Sequence, residues 1–197
     1  MIKIILLSIF LVTLSVMRLP EIESKVKGKA VRNSYDTINE YDLNADGKTE
    51  TLYFRNEEIE FGDLKTHVFI NDPDKSALVV EGLLENSAVH NISKNVRVLK
   101  LAMSAGGKLV NTVLYQYHED KLIEIPIMDE ISQPTPNTWS SGGSDLKDTD
   151  RNGIKELLVY HEHQPSWEMR TVDVYRYNGS SFQKDTEYEE QATRVHK

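Results

Sequence analysis

Two nine-residue stretches carry the side chains best suited to chemistry: Asp42-Leu43-Asn44-Ala45-Asp46-Gly47-Lys48-Thr49-Glu50 and Asp148-Thr149-Asp150-Arg151-Asn152-Gly153-Ile154-Lys155-Glu156. Both place an acid or amide at positions 1, 3 and 5, glycine at 6 and glutamate at 9. Calcium is a hard cation that takes six to eight oxygens, and short Asp and Asn side chains at alternate positions of a curled backbone converge on one point. Glycine at position 6 permits the sharp turn that brings the chain back over the ion. The candidate ligands are therefore Asp42, Asn44, Asp46, the Lys48 carbonyl and Glu50 in one loop. In the other they are Asp148, Asp150, Asn152, the Ile154 carbonyl and Glu156. Each loop holds three formal negatives that repel one another without a cation, so the expected cofactor is calcium. A helical EF-hand needs glutamate at position 12, but Tyr53 and Val159 stand there.

Other constellations are weaker. His161 and His163 share a strand face, and with His90 or His118 they could complete a zinc site for a metal-dependent hydrolase, though not at H-E-x-x-H spacing. There is no G-x-S-x-G elbow and no glycine-rich phosphate loop, and Gly106-Gly107 reads as a hairpin turn. No catalytic residue is assigned, and the chain is read as a non-enzyme. Tyr115, Tyr117, Tyr175 and Tyr177 fall two apart, which predicts core packing. The other reading is an exposed aromatic surface, with Trp139 and Trp167 beside it, for a protein or glycan.

The elements that must position the loops are strands. Runs of Val, Ile, Leu, Tyr and Phe at 51–55, 67–71, 77–81, 96–103, 109–117, 122–127, 155–163, 170–177 and 182–186 alternate with turn residues. Asn178-Gly179 is the strongest hairpin signal, and Asp72-Pro73-Asp74 and His118-Glu119-Asp120 are further turns. Segments 133–138 and 140–144 read as loops. Leu114-Tyr115-Gln116-Tyr117 before Leu122, Val174-Tyr175-Arg176-Tyr177 before Phe182, and Val68-Phe69-Ile70-Asn71 before Leu78 suggest a repeat of roughly 50 residues. The class is all-β.

Of 197 residues, 39% are hydrophobic and the net charge is −8, which disfavours nucleic acid and anionic lipid as partners. The absence of cysteine excludes disulfides and thiolate sites. Met1-Ile2-Lys3 followed by an apolar run from Ile4 to Val16 makes residues 1–24 a signal peptide or N-terminal anchor, the only membrane contact expected. Residues 25–197 then form one exported domain, secreted or held in the periplasm or cell envelope.

Both acidic loops run directly into apolar strands, Thr51-Leu52-Tyr53-Phe54 and Leu157-Leu158-Val159-Tyr160. D-x-[DN]-x-[DN]-G-x-x-E followed by such a strand resembles the calcium loop of FG-GAP/VCBS-type repeats, as in integrin-like β-propellers. The resemblance covers two loop-plus-strand segments of roughly 15 residues. It implies antiparallel blade-like units in a small or incomplete β-propeller, with calcium between the first two strands of a blade. A β-sandwich is the alternative, since about three units are few for a closed propeller. A third unit around Asn91-Ile92-Ser93-Lys94-Asn95 lacks both glycine and acid. The functions implied are extracellular binding of a protein or glycan, or inhibition of an extracellular enzyme such as a lysozyme.

Overall fold

In a computed structural model, residues 36–58, 63–104, 109–129, 134–135, 138–163 and 168–192 are described. Residues 1–24, read above as a signal peptide or anchor, lie outside them, as do Gly106-Gly107, Trp167 and the side chain of Trp139. The described residues contain fifteen strands and no helix. These are β1 (Thr37–Tyr41), β2 (Glu50–Glu58), β3 (Leu64–Ile70), β4 (Ser76–Glu81), β5 (Leu83–Ser93), β6 (Val96–Ser104), β7 (Val110–His118) and β8 (Lys121–Glu124). They continue as β9 (Ile127–Met128), β10 (Pro134–Thr135), β11 (Thr138–Ser140), β12 (Ser144–Lys147), β13 (Glu156–Glu162), β14 (Met169–Tyr177) and β15 (Phe182–Gln191).

The chain is all-β, and each sheet is built on an antiparallel meander. β1-β2-β3-β4 form the first sheet, β5-β6-β7-β8 the body of the second and β12-β13-β14-β15 the body of the third. β11 pairs with β7 beyond the end of β8, and the short β9 and β10 extend the third sheet past β15. Each meander has four consecutive strands, the pattern of a propeller blade. The three hairpins alike in sequence all join the third strand of a meander to the fourth: β3 to β4, β7 to β8 and β14 to β15. In two of them the register slips at the same motif position, between Val68 and Phe69 and between Val174 and Tyr175. The turn at Glu119-Asp120 has positive φ at both residues, the primed geometry that suits strand twist.

Alternation along the second sheet explains the layering. Leu99, Leu101, Met103, Val113 and Tyr115 point to one side and pack on Leu52, Phe54, Val68 and Val80 of the first sheet. Val98 and Leu114 point to the other side and pack on Leu157, Val159, Tyr175 and Phe182 of the third. The second sheet is thus the middle layer, and its central strands β6 and β7 are apolar on both faces, which is why they read as continuous hydrophobic runs. Tyr115 and Tyr175 are buried, and Tyr117 and Tyr177 pack beside them against these clusters, so the tyrosines belong to the core.

The run at 122–127 is two strands rather than one. Pro126 has no N–H to continue the ladder, and the chain leaves β7 there, crossing to pair β9 in parallel with β15. Segment 140–144, expected as a loop, holds the end of β11 and the start of β12.

The first and second sheets are joined through Gly82 alone, at φ +95°. A β-carbon there would lie 2.7 Å from the Ser104 carbonyl oxygen. Gly82→Ala is expected to destabilise the fold by about 1–3 kcal/mol, measured as a lowered urea midpoint. A wild-type midpoint would contradict the crowding.

Candidate metal centre

Each acidic loop links the first strand of a meander to the second: residues 42–49 lie between β1 and β2, and residues 148–155 between β12 and β13. The turn Lys94-Asn95 holds the equivalent place between β5 and β6, where the sequence has neither acid nor glycine.

The two loops are wired alike. The position-6 amide donates to the position-1 carboxylate, Gly47 to Asp42 Oδ2 at 3.2 Å and Gly153 to Asp148 Oδ2 at 3.0 Å. The position-5 amide donates to the position-3 side chain, Asp46 to Asn44 Oδ1 and Asn152 to Asp150 Oδ1, both at 3.1 Å. The position-7 amide donates to position 5, Lys48 to Asp46 Oδ1 at 2.8 Å and Ile154 to Asn152 Oδ1 at 2.7 Å. The position-2 amide donates to the glutamate, Leu43 to Glu50 Oε2 at 2.9 Å and Thr149 to Glu156 Oε2 at 2.8 Å. Positive φ recurs at positions 4 and 6, in Ala45 and Gly47 and in Arg151 and Gly153. Glycine accepts this backbone freely, whereas Ala45 and Arg151 hold it at a cost of about 1–2 kcal/mol, so both loops carry the same local strain at the same place.

The second loop brings carboxylates together. Asp148, Asp150 and Glu156 each offer an oxygen within 4.8 Å of the others, a group able to hold a metal ion. Oxygens bound to one calcium at about 2.3–2.6 Å can lie at most about 5 Å apart, so the spacing fits. Glu156 is 2% exposed and also accepts from Thr149 Oγ1 at 2.7 Å. Among the described residues no Lys, Arg or His nitrogen comes within 4.0 Å of it. A buried carboxylate without a cation is costly. Of the three, only Asp150 has a basic neighbour among the described residues, Arg176 at 3.5 Å.

The first loop differs in two ways. Its second acid stands at position 5, as Asp46, and position 3 is Asn44, so its charge is distributed differently. The Arg97 guanidinium also reaches in from β6, donating to the Asp42 carbonyl at 2.6 Å and lying 3.2 Å from Asp42 Oδ2. Even so, Asp42 Oδ1 is buried with no hydrogen-bond partner among the described residues, which leaves an acceptor for a cation. The Lys48 amide, first, and the Asn44 side chain hold the Asp46 carboxyl below the usual carboxylate range. Glu50 is buried like its counterpart. Arg97 escaped sequence reasoning because nothing local connects it to a loop 55 residues away.

The histidines are engaged separately. His161 Nε2 lies 3.0 Å from Asp173 Oδ2, and His163 Nε2 bonds Thr171 Oγ1 at 2.8 Å. His118 faces Glu119 on the β7–β8 turn, and His90 sits in a groove beside Lys100 and Asp145. Among the described residues no histidine joins a group of three metal-ligating side chains. Burial works against the Asp173 charge, but hydrogen bonds from His161 and Lys184 outweigh it and lower its pKa.

Comparison with known proteins adds no relative: no protein-family model, no curated protein and no solved structure matches the chain.

Proposed function

We propose that this chain is an exported, non-catalytic binding module whose acidic loops hold calcium, built from blade-like units similar to FG-GAP/VCBS-type repeats. The observation that carries the reading is the shared wiring of two loops far apart in sequence, each at the same place in a four-strand meander. Chance acidic turns have no reason to agree in hydrogen bonds and in strain. Asp148, Asp150, Asn152, the Ile154 carbonyl and Glu156 would hold one ion, and Asp42, Asn44, Asp46, the Lys48 carbonyl and Glu50 the other. Calcium there cancels repulsion between carboxylates and fixes the entry to β2 and β13. Its role is structural, and recognition of a protein or glycan falls to the surfaces the loops hold in place. The apolar run from Ile4 to Val16 supports export, to a compartment where calcium is plentiful.

An oxygen set of this kind outside a helical EF-hand should bind at about 10⁻⁴–10⁻³ M. At 10 mM calcium, mass action then adds roughly 1.4–2.7 kcal/mol for each occupied loop, a rise in melting temperature of about 3–10 °C per loop over EDTA. Differential scanning fluorimetry measures it, and equal melting in calcium and EDTA would refute the metal assignment.

A further inference from the structure

A cleft of about 540 Å³ opens between the first acidic loop, the β5–β6 turn and the end of β7. Its volume is in the range of small-molecule sites. Its wall contains Lys94, Arg97 and His118 and no carboxylate, although acids outnumber bases in the chain by 31 to 23. The remaining polar wall is mostly amide, including Asn91, Asn95 and Gln116, and the Tyr117 ring stands beside it. We propose that this cleft binds an acidic saccharide, its basic groups taking a sugar carboxylate and its amides taking the hydroxyls.

The donors are set in place, and part of their capacity stays open although Arg97 also faces Asp42 and His118 faces Glu119 at the rim. Arg97 spends Nε on Asn91 Oδ1 at 2.9 Å and Nη1 on Asp42. Its Nη2 hydrogens have no partner among the described residues, and neither do the Lys94 ammonium and the Gln116 amide. The bonds to Asn91 and Asp42 hold the guanidinium plane, so little side-chain freedom is left to lose when a carboxylate arrives. Amide side chains donate and accept at once, as sugar hydroxyls do, which favours a saccharide over a plain anion. The Tyr117 hydroxyl donates to Asp120 Oδ1 at 2.8 Å, which orients the ring as a flat apolar wall.

This inference rests on the binding-module reading and names its ligand class, but it does not need the metal. Isothermal titration with trigalacturonate, in EDTA and at low salt, tests it apart from the calcium melting experiment. The expected result is saturable binding that weakens with added sodium chloride, with no comparable binding of neutral galactotriose. Arg97→Gln should weaken affinity about tenfold, the loss of a charge-assisted hydrogen bond. Lys94→Gln sits on an exposed turn without protein partners, so it keeps its fold and should weaken affinity about threefold. Absence of binding overturns the inference, as does equal affinity for the neutral sugar. Tighter binding of triglutamate overturns it in favour of a peptide ligand, and wild-type affinity in the Lys94→Gln variant removes the basic groups from the argument.

Discussion

Phe182→Ala is expected to cost about 3–5 kcal/mol of unfolding free energy, the largest effect of any single truncation in the third sheet. Phe182 is fully buried, and its ring meets Tyr177 with centroids 5.3 Å apart at 47°. It packs in the cluster formed by Ile92, Val98, Leu114, Leu157 and Val159 between the second and third sheets. Its backbone also matters, since its amide donates to the Pro126 carbonyl at 2.9 Å and it pairs with Ile127. Loss of the ring leaves a cavity walled by strands of two sheets, which cannot collapse without breaking register. Urea denaturation measures the effect as a shifted midpoint with unchanged slope. A loss below about 1 kcal/mol would mean that the site relaxes around the gap and that the interface is looser than described.

Glu156→Gln should remove the second loop's share of the calcium response while leaving the apo protein as stable as before, or more so. The glutamine oxygen can still accept from Thr149 N and Oγ1, so the loop keeps its local bonds. The charge that repels Asp148 and Asp150 is gone, and with it much of the attraction for a divalent ion. In EDTA the variant should therefore melt at or above the wild-type temperature. In 10 mM calcium it should lack the roughly 3–10 °C that the second loop contributes, leaving what the first loop supplies. A full calcium response in the variant would show that Glu156 is no ligand. A variant that melts lower in EDTA would show that its carboxylate is held for a structural bond alone.

Legibility followed the range of the interactions. The acidic loops were readable because their oxygens and turn residues lie within nine positions, so the pattern and its geometry are local. Strands β2, β3, β6, β7, β13 and β14 were readable because their Val, Leu, Phe and Tyr runs fill interfaces. β1 and β5 were missed. Thr37-Ile38-Asn39-Glu40-Tyr41 and Leu83–Ser93 are rich in polar residues, and their pairing partners hold them extended. Part of their polarity is spent across the first interface, where the Asn39 side chain and the Tyr41 hydroxyl bond Ser87. β12 was hidden for a related reason, since only Leu146 of its four residues is buried. Arg97 and the parallel β9–β15 pair were beyond reach, because each joins residues about 55 apart whose spacing carries no signal. The tyrosine pairs were legible as packing residues because a shared strand face needs only period two.

The parallel contact of Ile127 with Phe182 has a temporal side. β15 lies between β14 and β9, both made earlier, and so enters its sheet as an interior strand with neighbours on each side. While the chain is being synthesised, the first two meanders can close with their own residues. The third must wait with an open slot. During that interval Ile127, Tyr175 and the edge of β14 stand uncovered, which makes this stage the one most exposed to aggregation or to a chaperone's grip.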